Sequence, residues 1–552
     1  MVGALVAAIL TPACAEPAME PEPGVLVVSR EQVGSWVRNF NPLLAGGLAR
    51  WPTRGGIYEP LMVHNPAQGA WTPWLATGFT WGEDVTSLSF SLREGVRWSD
   101  GEAFTADDVV FTFDLMKKVP AFDTQGHWRY LRSVSAPDPQ TVQFAFARPF
   151  VPGMEKIAHQ VIVPRHVWES VEEPVSWTNP DPVATGPFTE VRRFDHQVWE
   201  LGKNPNYWMD GAPKIEALRF PAIPSNEQAT IALMHGEVDW AGNFIPAIDR
   251  IFAGRNPEHH RYWFPNFGGA IFLYPNHTVG PLKDARVRKA LSRAIDRDKV
   301  VQVAMYDYTS PADVSGLSDG YAQWRDEAAL TEDPWTDFDP AEAARLLDEA
   351  GLPLGEDGLR RGTDGQPVTL ELSCITGWSD WVRAAQVIAR NLQGVGLDVS
   401  VKSYDFGAWF DQLQRGEFAL SIGWASYGPT PYGFWVGAMS SGSMFPIGEV
   451  APQNWHRFSD PEADTLLAAF ERTADPAEQE RIAHALQARF QATAPLLPLF
   501  LDPSWGEANT TRFTGFPSAE NPYSRLSPNH ELEFLHVLTR IAPREPVVAE
   551  GN

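Results

Sequence analysis

An α/β fold with ligand sites at strand ends is what this sequence predicts, and three observations predict it. Short apolar–polar alternations stand between single helices in the first third of the chain. A strand–helix–strand unit spans residues 369–402. The 552 residues, 44% hydrophobic and 20% charged, suffice for three or four folded domains at roughly 150 residues each.

Taken in order, residues 2–10 form an apolar run followed by small residues, the pattern of an export signal. Ala13-Cys14 reads as a lipobox in which Cys14 would carry lipid, although Thr11 and the lack of a preceding Lys or Arg depart from that pattern. Residues 1–13 are therefore expected to be the signal, and the Pro- and Glu-rich residues 14–24 a disordered tether. Ser87 to Leu92 puts Leu88, Phe90 and Leu92 on one face, as in a half-buried strand. Thr105 and Asp108 are placed to cap a helix carrying Val109, Val110, Phe113 and Met116. Residues 133–135 and 141–146 flank Pro137-Asp138-Pro139, a hairpin signal.

In the second half, the spacing of Val287, Leu291, Ala294 and Ile295 predicts one helix from Asp284 to Met305. Arg286, Arg288, Lys289 and Arg293 would form its solvated face. Asp339-Pro340, Asp460-Pro461 and Asp475-Pro476 are helix starts, and Ser379 or Asp380 should cap a helix that ends near Gly394. Residues 397–401 alternate as a strand.

Composition excludes several functions. With 44 Lys+Arg against 69 Asp+Glu, a net charge of −25 and no basic run, phosphate backbones find no partner, so no nucleic acid is expected. Two cysteines build neither a disulfide scaffold nor a zinc site, and no cofactor or metal motif occurs. Cys374 falls in an apolar strand, where an inert buried thiol is expected. Gly316-Leu317-Ser318-Asp319-Gly320 matches a nucleophile elbow, but the polar stretch before it is not the strand that motif requires.

Seven ordered segments together resemble the bacterial extracellular solute-binding proteins of family 5. They are Ile57-Tyr58-Glu59-Pro60-Leu61 with Trp74 to Thr77, Leu92 to Gly101, Phe104 to Val109, Thr185-Gly186-Pro187-Phe188, Asn204 to Trp208, His235 to Asp239, and Asp284 to Asp296. The resemblance covers residues 25 to 540. It implies a two-lobed periplasmic-binding-protein-like α/β fold of class II, with an extra subdomain inserted in lobe one. Lobe one would be 25–66, 185–270 and 510–545, the insertion 67–184, and lobe two 271–509. It further implies a non-enzymatic receptor of an ABC importer that closes on its ligand by a hinge. Such a receptor would work outside the cytoplasm, as a monomer held to the membrane only by lipid or free in the periplasm, with the permease subunits as partners.

Peptide-binding members carry acids in the stretch that here reads Gly423 to Pro431, where Ser426 and Thr430 stand instead. An ammonium would be unpaired there. Residues 376–381, 515–522 and 310–318 resemble the cellobiose and β-glucan oligosaccharide branch. A β-linked gluco-oligosaccharide is thus the expected ligand, its sugar faces stacked on indoles and its hydroxyls bonded at the rim. The alternatives are the same fold binding an oligopeptide or other small solute, and a secreted hydrolase. The 22 tryptophans against 12 tyrosines fit stacking. Candidates are Trp36, Trp51, Trp378, Trp381, Trp424 and Trp455, about half of them expected to be structural. Polar candidates are Asn39, Asn41, Asp380, Ser426 and Asn454. Trp98, Trp208 and Trp240 are assigned to packing.

Overall fold

A computed structural model of the chain describes residues 22–30, 32–44 and 52–545. Cys14, Trp51 and the signal region lie outside the described residues.

Two sheets organise two lobes. In the first, seven strands run in the order His260–Tyr262, Glu507–Asn509, Trp240–Ala241, Val25–Ser29, Ala217–Pro221, Val198–Lys203 and Phe188–Phe194. Val25–Ser29 is fully buried and lies parallel to both neighbours, as a run of Val and Leu should when both its faces are covered. In the second, five strands run Asp398–Tyr404, Thr369–Ile375, Leu420–Trp424, Ala270–Pro275 and Leu497–Leu501. The chain passes between the lobes at residues 263–269 and 502–506. These segments lie side by side: Trp263 N–H donates to Gly506 O (3.0 Å), Ser504 N–H to Pro265 O (3.2 Å) and Asp502 N–H to Gly269 O (3.0 Å). A third sheet, four antiparallel strands between Ala76 and Phe146, carries the helix Ala106–Lys118 and forms the inserted subdomain. This is the expected two-lobed architecture.

Local predictions explain most elements. The Asp108 carboxylate accepts from Thr105 N–H (2.9 Å) and starts its helix. Asp339, Asp460 and Asp475 cap helices that begin at Pro340, Pro461 and Pro476. Two expectations need correction. Residues 284–305 form two helices, Ala285–Ala294 and Arg297–Ala304, because Ile295 and Asp296 are extended and Asp296 caps the second by accepting from Lys299 N–H (2.9 Å). The helix Ser379–Gly394 starts after Trp378, so Ser379 and Asp380 lie in its first turn rather than capping it.

Arg288 leaves the solvated face altogether. It is 2% exposed and donates to the carbonyls of Ala494, Leu282, Lys283 and Thr493, tying its helix to the end of Pro476–Thr493. Arg288→Met should therefore lose about 3 kcal/mol, since carbonyls left unpaired in the interior cost about 1–3 kcal/mol each and some will find other donors. Urea unfolding tests this; a loss below about 0.5 kcal/mol, the surface value, would mean the carbonyls are readily satisfied otherwise.

Glu59, fully buried, draws separate sequence motifs together. Its Oε1 accepts from Trp74 Nε1 (2.6 Å) and Tyr207 OH (2.9 Å), and its Oε2 from Trp208 Nε1 (3.0 Å). Gly186 lets two loop segments meet: a Cβ there would stand 2.3 Å from Ile57 O. Asp239 accepts from Val27 N–H (2.8 Å) and Arg512 Nε (2.9 Å), fastening the first strand to the C-terminal segment. Trp98 and Trp240 are fully buried and Trp208 packs on Trp74, so these indoles pack as assigned.

Candidate functional site: a cavity between the lobes

Between the lobes lies a cavity of about 650 Å³. One wall is aromatic. Trp378, Trp381, Phe406 and Trp424 come from the strand-to-helix turns of the five-stranded lobe, with Trp378 and Trp381 at 4.8 Å edge to face and Phe406 parallel to Trp424. These side chains sit at strand carboxyl ends, where α/β sheets place ligands. Phe244 and Trp505 face them from the other lobe and from a crossover. His64 enters from the strand Met62–Asn65, His159 from the inserted region, and Arg525, Asn529, His530, Glu531 and Glu533 from the C-terminal loop.

The lobes meet around this cavity. Asn226 Nδ2 donates to Asp380 Oδ1 (3.3 Å), and Asn226 N–H to Gly377 O (3.3 Å). Arg383 lies 4.8 Å over the Phe244 ring, and Val151 N–H donates to Glu471 O (2.8 Å) from the inserted subdomain.

Charge in the cavity is mixed. Arg525 stands 3.3 Å from Glu533 and beside His530, and Glu531 3.4 Å from Arg54. Burial pushes the Asp380 carboxyl up to about 6 against its helix N-terminus and Asn226. Burial pushes Asp502 up to about 6 as well, with the Asp380 charge adding to the rise and Arg525 opposing it. His64 and His159 are held down to about 4 and about 3, both chiefly by burial, so both imidazoles are neutral at pH 7.

Of the candidates read from the sequence, Trp378, Trp381, Trp424, Asp380 and Ser426 line this cavity. Trp455 does not: it packs behind Trp424 at 6.1 Å and donates to Ala451 O. Trp36 is core, edge-on to Trp199 at 5.9 Å. Asn39 accepts from Asn41 N–H, and Asn41 donates to Pro174 and Trp177 carbonyls, so both build a turn. Asn454, with φ +53°, holds Ser440 and Phe458 carbonyls. Trp455, Asn39, Asn41 and Asn454 thus spend their polar atoms on backbone groups rather than on the cavity. Thr430 accepts from Tyr432 N–H and does not line the cavity.

Sequence reasoning missed Asp502, Asn243, Trp505 and the Arg525–Glu533 stretch. No periodicity marks them, since single residues of crossovers and loops meet only in the fold. Ser318 is fully buried, its hydroxyl donating to Gly268 O, so it is no exposed nucleophile. Cys374 is buried and its thiol pushed up to about 12. Among the described residues no His/Cys/Asp/Glu group suits a metal, and no helix is long and apolar enough to cross a membrane.

Residues 70–445 match the family described as bacterial extracellular solute-binding proteins, family 5 middle. The glutathione-binding protein GsiB of Salmonella typhi is 26% identical over 465 residues, covering 80% of this chain and 82% of its own. A mannohexaose-bound oligopeptide ABC transporter, periplasmic oligopeptide-binding protein from Thermotoga maritima superposes with a TM-score of 0.87 at 27% identity, over 95% of this chain and 100% of that one. NikZ from Campylobacter jejuni, in complex with Ni(L-His), shares the fold at TM-score 0.79 and 19% identity, over 95% and 100%.

These relatives overturn the expected cellobiose and β-glucan branch, and with it gluco-oligosaccharide as cargo and partner and sugar transport as the role. They are described as glutathione-binding and oligopeptide-binding proteins. The physical flaw lay in seeking the ammonium's partner only at Ser426 and Thr430. The cavity holds carboxylates from other segments, Asp380 and Asp502, which can meet an ammonium there.

Proposed function

The chain belongs to the family 5 bacterial extracellular solute-binding proteins, a family of extracytoplasmic solute carriers rather than enzymes, and from that premise we propose that it is the binding component of an ABC importer whose cargo is a short peptide-type solute. One observation carries the cargo: an interlobe cavity of about 650 Å³ with carboxylates and an arginine beside an aromatic wall. The volume falls in the range of small-ligand pockets, about 300–1,000 Å³. A peptide brings an ammonium, a carboxylate, amides and side chains, and each has a counterpart in that lining. In this reading lobe one is 25–66, 185–270 and 510–545, the inserted subdomain 67–184 and lobe two 271–509, and the permease pair recognises the closed lobes.

Titration of the purified protein with tri- to pentapeptide pools, glutathione, nickel–histidine, cellobiose and mannohexaose tests the reading. Trp378, Trp381, Trp424 and Trp505 line the cavity, so indole emission reports occupancy. Saturable binding of peptides is expected; saturation by a sugar with none by any peptide would overturn the proposal. Trp378 is half-buried and rests on Trp381. Trp378→Ala should therefore weaken the peptide about tenfold while unfolding moves by no more than about 1–2 kcal/mol. Unchanged affinity with a large stability loss would make Trp378 a packing residue.

A further inference from the structure

We propose that Asp380 and Asp502 together hold a cationic head group of the ligand, the N-terminal ammonium of a peptide, between the helix start of one lobe and the crossover segment. This rests on the peptide reading above and assigns the cation a place away from the stretch at 423–431.

The pairing pattern points there. Of the acids lining the cavity, Glu533 faces Arg525 and Glu531 faces Arg54. Among the described residues, no Lys, Arg or His lies within ion-pair distance of Asp380 or Asp502. Asp380 is 3% exposed, and Asn226 at 3.3 Å is its side-chain partner. Asp502 is half-buried and anchored by its backbone N–H on Gly269 O, and its carboxylate feels the charge of Arg525, outside ion-pair distance, and the opposing charge of Asp380. Two carboxylates lining one cavity repel, and a cation between them relieves that repulsion.

A separate observation asks for a hydrogen-bond donor at the same place. Asn243 lines the cavity at 1% exposure, and its Nδ2 is committed to Asn226 O, Thr230 Oγ1 and Phe244 O. Its Oδ1 has no partner. Asn529 repeats the arrangement, with Nδ2 on Gly242 O (3.0 Å) and Oδ1 unpartnered. An ammonium carries three N–H donors; two carboxylates and an amide oxygen are a complete set of acceptors for it. The indole faces of Trp378 and Trp424 add attraction for a cation. An anionic ligand would meet the repulsion of both carboxylates, and a neutral one would leave their like charges without a counter-charge.

The test compares a pool of tri- to pentapeptides with free N-termini, the same pool N-acetylated, and an N-acetylated pool in which every peptide contains lysine. Each is titrated into wild type, Asp502→Asn and Asp380→Asn, with melting curves to show that the variants fold. Wild type should bind the free pool at least 30-fold more tightly than the acetylated one. Either Asn variant should lose that preference while keeping its affinity for acetylated peptide. Recovery of affinity in the acetylated lysine pool would support the same pair holding a side-chain ammonium. Equal affinity for free and acetylated pools, or variants that bind the free pool like wild type, would overturn the cation assignment and leave the peptide reading standing. No binding of any pool to wild type would overturn both. If one variant fails to fold, the other variant and the acetylation comparison still decide.

Discussion

Glu59→Ala is expected to lose about 5 kcal/mol of stability at pH 5, the largest loss from a single side chain outside the cavity. The carboxyl is fully buried and is the partner of two indole N–H groups and a phenol O–H, at 2.6, 3.0 and 2.9 Å. Truncation leaves these donors in a site that water does not reach, each at about 1–3 kcal/mol, with a cavity term added. Burial outweighs the donors and pushes Glu59 up to about 7. Its folded value is thus raised above the ordinary 4.5, so its protonation stabilises the fold fully below pH 4.5 and ceases to do so as pH rises through 7. The gap between wild type and Glu59→Ala should narrow by up to about 3 kcal/mol between pH 5 and pH 8. Thr185, whose hydroxyl oxygen is buried without a partner beside Glu59, can take that proton's hydrogen bond. Urea unfolding at both pH values measures the gap; a gap unchanged between pH 5 and pH 8 would show that Glu59 is ionised in the fold throughout. Glu59→Gln, which keeps one acceptor oxygen, should fall between the two.

The same residue shows what the sequence makes legible. Glu59 with Trp74, Thr185, and Tyr207 with Trp208 stand in three motifs of the chain, whose order and spacing identify the family before any contact is known. The motifs are recognisable because each is local, and they recur together because the fold joins them on one carboxylate. Helix starts are legible for the same local reason, as Asp339, Asp460 and Asp475 show. Asp296 misleads because the apolar spacing runs through it while its side chain starts a new helix. Arg288 misleads because its charge reads as solvated when its donors all bond backbone carbonyls, two of them in a distant helix end. In the cavity, Trp378, Trp381 and Trp424 are readable from one strand–turn–helix pattern. Asp502 and Asn243 are not, because nothing near them in sequence shares their environment. The ligand was misread for that reason: a missing acid at Ser426 argues against an ammonium only if no other segment supplies one.

Ligand affinity should fall about 100-fold between pH 7.5 and pH 5. Asp380 and Asp502 each stand at about 6 in the unliganded protein. An ammonium between them needs both ionised, and its charge holds both bound-state values lower. Affinity is therefore full well above 6 and is lost as pH falls through that value. At pH 5 each carboxylate is about one-tenth ionised, so requiring both gives the factor of about 100, or about 2.7 kcal/mol. The groups facing them shape the slope. Arg525 lowers Asp502 while Asp380 raises it, and Arg383 and Asn226 lower Asp380. His64 and His159 stand at about 4 and about 3 and stay neutral over most of this range, so they add no competing charge before pH 5. Calorimetric titration of a free-N-terminal peptide from pH 7.5 to pH 5 gives the profile directly. Asp502→Asn should flatten it almost completely, because a variant that no longer prefers the free ammonium gains nothing from ionising Asp380. A wild-type profile that is flat to pH 5 would show that neither carboxylate meets the ligand's charge, and the cavity would then read its cargo through the aromatic wall alone.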